Sequence, residues 1–392
     1  MVHPVGKTAL NSHSEAKSAG RDLRFDTLRG LFLVLMTINH LPTEMREITD
    51  QPLGLFTAAE GFVFLSGLLA GWVYTRRYRS VGSEGLWQAT ADRAKSIYRW
   101  HVAALLASFI LVQATEHFLG YCSPAVPKLF FEHPLEALGL GLSLLYQPGL
   151  LDLLPMYCGF VLLLPMVIKA LEDGKRFRVL ALSGAAWLAV QWAPPIDGAP
   201  LYPINTGSFN LFAWQFLFVA GVVVGHARVS GFAQVARPNR WVVGAAAALA
   251  VYGLGVRHAH WHSLWPEATF GVFLNKPALG LLRLADFGAV AYLVAAFAER
   301  FPALLTSRTL SLLGRHSLPV VAVQSVAIMT LLQFPGLFLS STSRTLIAVA
   351  VVGLLFAVAR FHGRLGSTAP APLGTRQAAP RGLVESDGAH AT

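Results

Sequence analysis

The stretch RDLRFDTLRGLFLVLMTINHLP, residues 21–42, contains the pattern from which the fold can be predicted. It begins with charged residues, continues as an apolar run, and ends with Asn39 and His40 ahead of Pro42. An apolar helix of about 20 residues crosses a hydrocarbon core of about 30 Å. Similar runs recur from Leu28 to about Phe361, which predicts an all-α, polytopic integral membrane protein with about ten transmembrane helices.

The composition agrees with a membrane protein. Of 392 residues, 54% are hydrophobic and 13% are charged, whereas a soluble domain has about 25% charged residues. The net charge of +10 could indicate nucleic acid, but its distribution follows membrane topology instead, so no nucleic-acid partner is predicted. Cys122 and Cys158 match no metal-ligand spacing and allow at most one disulfide.

The apolar runs define the predicted spans. These are 28–45, 55–78, 98–119, 150–171, 177–193, 209–227, 241–257, 279–298, 310–334 and 343–361. A further apolar segment, 134–147, is too short to cross and is predicted to lie at the interface or to re-enter.

The distribution of basic residues predicts the orientation. With the N-terminus inside, most of the 31 Lys and Arg residues fall in inside segments. The outside segments hold only Arg46, Lys128, Arg257, Lys276 and Arg344. Cytoplasmic loops carry an excess of Lys and Arg, so both termini are predicted to be cytoplasmic. The chain then divides into a cytoplasmic segment (1–27), a transmembrane domain (28–361) and a disordered cytoplasmic tail (362–392).

Ionisable residues within spans are costly in lipid and indicate function. His40 and Glu60 lie at similar depths in two consecutive spans, about 7 Å below the outer boundary at 1.5 Å per residue. A carboxylate beside an imidazole suits a general base. A structural hydrogen bond between two helices is the alternative.

Other polar residues reach the same level. Asp152 and Tyr157 begin one span, while Lys276 precedes another that carries Arg283 and Asp286 on one helix face. Arg283 could bind an acyl carboxylate or an oxyanion, or it could pair with Asp286.

The span near 209–227 begins with a cluster of amides and an aromatic ring: Asn210, Trp214 and Gln215. Amides beside aromatic faces can hold sugar rings, although Trp is also common at membrane interfaces.

A second group lies near the inner face: Arg24, Arg29, Arg315 and His316. Arginines there could bind phosphates bidentately or contact lipid headgroups. The outer loop with His258, His260 and His262 has no acidic or Cys partner nearby in sequence, so no metal site is predicted.

Several segments together resemble the OpgC family of bacterial inner-membrane proteins. They are RDLRFDTLRG (21–30), TINHLP (37–42), AAEGFVFLSG (58–67), LDLLPMY (151–157), FNLFAWQFLFVAG (209–221), NKPALGLLRL (275–284) and LGRHSLPV (313–320). Their combined order is more specific than any one segment.

The resemblance implies a membrane-bound acyltransferase that succinylates periplasmic glucans. The OpgC family belongs to the broader acyltransferase-3-like class. It implies a multi-pass protein of the bacterial inner membrane, with succinyl-CoA or another acyl-CoA as donor and no permanently bound cofactor. His40 matches the expected catalytic residue. Catalysis would also involve Glu60, Asp152 and Arg283.

The remaining candidates divide between the two substrates. Acyl-CoA would bind Arg24, Arg29, Arg315 and His316. The glucan would bind Asn39, Tyr157, Asn210, Trp214, Gln215, Lys276 and Asp286.

The residues alone are also compatible with two other functions. A glycan or lipid transporter or flippase would also need a polar pathway, and a structural subunit would need no site. The oligomeric state is open as well, because Gly61 and Gly67 could pack within or between chains.

Overall fold

The protein is described by a computed structural model that covers residues 22–120, 128–192, 208–231, 239–259, 261 and 267–368. Within these ranges the regular structure is helical and includes no β-strand. The helices are α1 (Leu23–Asn39), α2 (Met45–Thr49), α3 (Ala58–Leu119), α4 (Leu129–Glu132), α5 (Pro134–Leu142), α6 (Leu153–Glu172), α7 (Arg176–Trp192), α8 (Leu211–Val229), α9 (Arg240–His258), α10 (Glu267–Leu274), α11 (Leu281–Arg300), α12 (Arg308–Arg315), α13 (Ser317–Leu331) and α14 (Ser341–Thr368). Short 3₁₀ helices cover Pro302–Leu305 and Pro335–Phe338.

Among the described residues, 6 helices are long and apolar enough to cross a membrane. They are α3, α6, α8, α9, α11 and α14. Helices α12 and α13, which meet at an angle of 84°, would together make a seventh. The predicted all-α class is confirmed. The count is lower than the predicted number of spans because α1 and α7 have only 17 residues each and because α3 covers two predicted spans.

Helix α3 reverses direction at Gly82, where φ is 72° and ψ is −170°. Tyr157 in α6 donates to the Phe62 carbonyl at 3.3 Å, and the next residue, Cys158, contacts the Ala94 carbonyl at 3.8 Å. A straight helix would separate Phe62 from Ala94 by about 48 Å. The segments 58–81 and 83–119 therefore fold back on each other and both pack against α6. Glycine suits the turn because it adopts a positive φ without steric cost.

Close backbone contacts join several helices. A Cβ at Gly314 would meet the Asp26 carbonyl, and a Cβ at Gly30 would meet the Leu310 carbonyl, so α1 and α12 touch backbone to backbone. Gly67 contacts the Phe218 backbone of α8, and Gly61 contacts the Phe32 ring. Both of these glycines, for which packing between chains was open, make contacts within the chain.

The ends of several elements differ from the prediction. Helix α1 begins at Leu23, capped by the Asp22 side chain. Helix α14 continues to Thr368, past the predicted end of the last span at 361, and runs through Gly363 and Gly366. The short segment near 134–147 forms the nine-residue helix α5, which is too short to cross. Cys122, His260, His262, the segment 1–21 and the tail after 368 lie outside the described residues.

Candidate functional site

A cavity of about 420 Å³ opens where α1, α6, α11 and α13 meet, and it is called the outer cavity here after the predicted orientation. Its polar lining comprises Asn39, His40, Arg46, Asp50, Gln51, Thr57, Asp152, Ser208, Lys276, Arg283, Gln324 and Ser325. His40, Asp152, Arg283, Asn39 and Lys276 were candidates from the sequence. They come from three distant parts of the chain, and the fold brings them to one cavity.

His40 is the C-cap of α1, and its imidazole is exposed to the outer cavity. Its Nδ1 lies 2.6 Å from the Met36 carbonyl oxygen. A carbonyl only accepts hydrogen bonds, so Nδ1 must carry the proton and the neutral ring has its lone pair on Nε2. The backbone thereby fixes the tautomer that a general base needs.

Glu60 and Arg283 form a buried ion pair, with 0% and 3% of their surfaces exposed, and of the two Arg283 lines the outer cavity. The other carboxylate oxygen of Glu60 accepts from the Thr57 backbone N–H at 2.9 Å and the Thr57 hydroxyl at 2.7 Å. Glu60 is thus the third residue of a capping box at the start of α3. The polar contacts of Glu60 are with Thr57 and Arg283, whereas His40 contacts the Met36 carbonyl, so the direct contact between Glu60 and His40 that the sequence suggests stays a prediction.

Arg283 lines the outer cavity and carries one donor atom without a partner among the described residues. Its Nη2 is buried and has no hydrogen-bond partner among the described residues, although the side chain lines the outer cavity. A buried donor without a partner costs about 1–3 kcal/mol. Such a donor is suited to an oxyanion or a carboxylate. The alternative pairing with Asp286 is not formed, since Asp286 accepts from the Leu55 N–H at 2.7 Å.

Asp152 and Lys276 complete the charged lining. One oxygen of the Asp152 carboxylate accepts from the Ser208 backbone N–H at 2.8 Å. The Lys276 ammonium lies 5.9 Å from the centroid of the Phe209 ring. Asn39 also faces the cavity, but its amide bonds to the hydroxyl and carbonyl of Thr49 and so anchors α2 to the end of α1.

Sequence reasoning missed Gln324, whose Oε1 is buried and has no partner among the described residues. It lines the outer cavity from α13, beside Ser325. The signal was present in the sequence, since Gln324 and Ser325 are two consecutive polar residues in the apolar run VVAVQSVAIM (320–329). An unsatisfied buried amide is suited to a hydrogen bond with a substrate.

The predicted sugar-binding cluster of α8 lies away from the cavity. Trp214 is fully buried and its Nε1 donates to the Pro277 carbonyl at 3.1 Å, so its ring face is closed to a sugar. Asn210 caps α8 through the Phe212 N–H, and Gln215 accepts from the Ser183 hydroxyl at 2.6 Å. Asn210 thus caps its own helix, Trp214 bonds to the loop before α11, and Gln215 joins α8 to α7.

Tyr157 and Asp286 also lie outside the outer cavity. Tyr157 lines a second cavity described below, one helix turn further along α6 than Asp152. Asp286 is fully buried, with its carboxylate against Gly54 and Gly253. Its contact with Leu55 ties the loop before α3 to α11.

The second cavity, called the inner cavity, measures about 350 Å³. Its polar and charged lining comprises Arg29, Ser66, Tyr74, Arg93, Tyr157 and Ser317. Arg29 donates to the Ser317 hydroxyl at 2.5 Å, and its guanidinium lies 5.3 Å from the centroid of the Phe62 ring. Arg93 also lines this cavity, and the reversal of α3 brings it there.

The other predicted phosphate ligands do not line the inner cavity. Arg24 pairs with Asp22 at 2.6 Å. Burial of Asp22 raises its pKa, but the hydrogen bonds from Arg24 outweigh this effect and hold the pKa of Asp22 below its usual value. Arg315 lies 3.6 Å from Asp26, and His316 lies 3.1 Å from His362. Intramolecular contacts at the ends of α1, α12 and α14 therefore engage these residues.

The inner and outer cavities abut. Leu153 and Val321 line both of them, so the two cavities are separated by a wall of these side chains. Helices α6 and α13 run along both cavities and supply the wall.

Fold and site together define a polytopic helical membrane protein with two adjoining cavities, each of which has charged residues in its lining. The family model described as OpgC protein matches residues 21–367. The chain belongs to the OpgC family, which confirms the resemblance found in its sequence segments and indicates a transferase role in a membrane. No curated protein matches the chain, and no solved structure matches it.

Proposed function

We propose that this protein is an O-acyltransferase that moves an acyl group, succinyl in the first instance, from cytoplasmic acyl-CoA to a hydroxyl of a periplasmic glucan. The observation that carries the proposal is the pair of cavities in line, with His40 in the outer one and arginines in the inner one. Membership of the OpgC family supports the same reaction.

The proposed membrane arrangement is ten spans in the bacterial inner membrane, with both termini in the cytoplasm. The ten spans are α1, the two arms of α3, α6, α7, α8, α9, α11, the bent pair α12 and α13, and α14. The reversal at Gly82 supports counting α3 twice. The excess of Lys and Arg in the segments on the side of the N-terminus supports the orientation.

The inner cavity would receive the donor. Arg29 and Arg93 present guanidinium groups there, and guanidinium binds phosphate bidentately. Along α1, Arg29 and His40 are separated by about 16 Å at 1.5 Å per residue. An extended pantetheine arm has comparable reach. The thioester would thus enter from the inside and meet the acceptor in the outer cavity.

The outer cavity would perform the transfer. His40 Nε2 takes the proton of the glucan hydroxyl, and the hydroxyl oxygen attacks the thioester carbonyl carbon. The Nη2 group of Arg283 stabilises the oxyanion that forms. The C–S bond then breaks, the CoA thiolate leaves, and protonated His40 returns the proton to it. The products are the acyl ester and free CoA. Asp152, Lys276, Asn39 and Gln324 would hold the glucan.

Acyl transfer by the purified, full-length protein in detergent tests this proposal, with labelled succinyl-CoA and a periplasmic glucan fraction. Wild type should label the glucan. His40→Ala should lose about 10²- to 10⁴-fold in rate, the usual contribution of a general base. His258→Ala is the matched control, since His258 is exposed at the end of α9 and lies outside both cavities. Absence of transfer from succinyl-CoA, acetyl-CoA and longer acyl-CoAs would favour a glycan or lipid transporter.

A further inference from the structure

The two cavities share two lining residues, Leu153 and Val321, which form the wall between them. On α13, Ser317 and Leu318 line the inner cavity, whereas Gln324 lines the outer one, and Val321 lies between them. Leu318 and Gln324 are about 9 Å apart along the helix axis. On α6, Leu153 holds the same intermediate place.

The wall is apolar, and both of its members are buried, with 7% of Leu153 and 6% of Val321 exposed. Polar groups stand on either side of it, including Arg29 in the inner cavity and Arg283 in the outer cavity. Two aliphatic side chains offer no hydrogen bond to water or to an ion, so crossing the wall is costly for both. Since Val has one side-chain torsion and Leu has two, small rotations can part them.

We propose that Leu153 and Val321 are specificity-determining residues that set the size of the acyl group reaching His40. This inference rests on the proposed acyl transfer. An acyl group arriving from the inner cavity is the leading end of the donor, so it is the first part to pass between these two side chains. A short, unbranched acyl group fits such a passage, whereas a branched or long one meets the wall.

Two substitutions at one position change the passage in opposite directions. Val321→Ala removes two methyl groups from the wall. It should raise kcat/KM for a branched or six-carbon acyl-CoA, relative to succinyl-CoA, by about tenfold or more. One extra carbon in an apolar pocket changes the ratio of kcat/KM values by about that factor. Val321→Phe fills the passage and should lower transfer from every donor by roughly 100-fold. The affinity for CoA itself, measured by titration calorimetry, should stay unchanged because the arginines of the inner cavity are intact.

Val323→Phe is the matched control, because Val323 lies on the same helix, is partly exposed and lines neither cavity. It should transfer at the wild-type rate with wild-type acyl preference. If wild type transfers but Val321→Ala keeps the wild-type acyl preference, the inference is overturned and the proposed function stands. The same conclusion follows if Val323→Phe is as impaired as Val321→Phe. A wild type that transfers no acyl group overturns the proposed function, and the inference with it.

Discussion

Arg283 and Glu60 neutralise each other where water does not reach, so a change at either residue affects both. Arg283→Met leaves the Glu60 carboxylate without its countercharge and should destabilise the protein by about 3–5 kcal/mol. The double variant Glu60→Gln/Arg283→Met contains no charge at the pair and should recover most of that stability. Thermal unfolding in detergent measures both variants.

The same double variant separates folding from chemistry. It should remain deficient in transfer, because the donor at Arg283 Nη2 that would stabilise the oxyanion is gone. A double variant that is stable and transfers at the wild-type rate would exclude Arg283 from the reaction.

Gln324 allows a test in which stability and activity change in opposite directions. Gln324→Leu removes a buried oxygen that has no partner among the described residues, so stability should be equal or higher by about 1 kcal/mol. Transfer should fall about tenfold if this amide bonds to substrate. Gln113→Leu is the control, since Gln113 donates to the Phe130 carbonyl at 2.6 Å. It should lose about 1 kcal/mol of stability and keep its activity.

The sequence predicted those site residues that stand out within apolar runs. His40 and Arg283 are ionisable groups in spans, and the structure brings both to the outer cavity. Trp214 and Gln215 were wrongly expected to face a glucan, because a sequence does not show which side chain a neighbouring helix will satisfy. The Pro277 carbonyl and the Ser183 hydroxyl, both distant in sequence, are their partners. The sequence likewise did not show the partners of Glu60, whose carboxylate contacts Arg283 and Thr57.

Contact between α1 and α12 depends on glycine at a single position of each helix. Gly314→Ala would place a methyl group against the Asp26 carbonyl, which is backbone and cannot rotate away. The helices would have to separate, and a strained contact in a packed interior costs about 1–3 kcal/mol. Gly288→Ala in α11 is the control, because nothing lies within 4 Å of its added Cβ. It should be neutral or stabilising by up to about 1 kcal/mol in thermal unfolding. Equal losses in both variants would contradict this explanation, because the control adds its Cβ to open space and helix propensity favours Ala over Gly.

Helices were easier to predict than their relations to one another. Each predicted span overlaps a helix of the structure, because a backbone in lipid must satisfy its hydrogen bonds within its own segment. The reversal at Gly82 was implied by two spans separated by charged residues, but the meeting of Arg93 with Arg29 in one cavity was not. That meeting depends on how tightly α3 folds back on α6, which hydropathy does not encode.

The charged residues and the two cavities are distributed unequally between the two faces of the molecule. The arginines of the inner cavity lie on the side to which the basic loops are assigned, while His40 lies near the opposite face. A cytoplasmic donor and a periplasmic acceptor would therefore meet from opposite sides, with the wall of Leu153 and Val321 between them. The proposed reaction needs this polarity, so an inverted chain would be inactive towards a periplasmic glucan.

Thiol labelling in cells tests that direction. In a chain whose own cysteines are replaced (Cys122→Ser, Cys158→Ala), Glu47→Cys places a thiol on exposed α2, next to the outer cavity. Asp173→Cys places one in the exposed turn between α6 and α7. A membrane-impermeant maleimide should label Glu47→Cys in intact cells and Asp173→Cys only after permeabilisation. The reverse pattern would put His40 on the cytoplasmic side, where a periplasmic hydroxyl cannot reach it, and acyl transfer across the membrane would have to be abandoned.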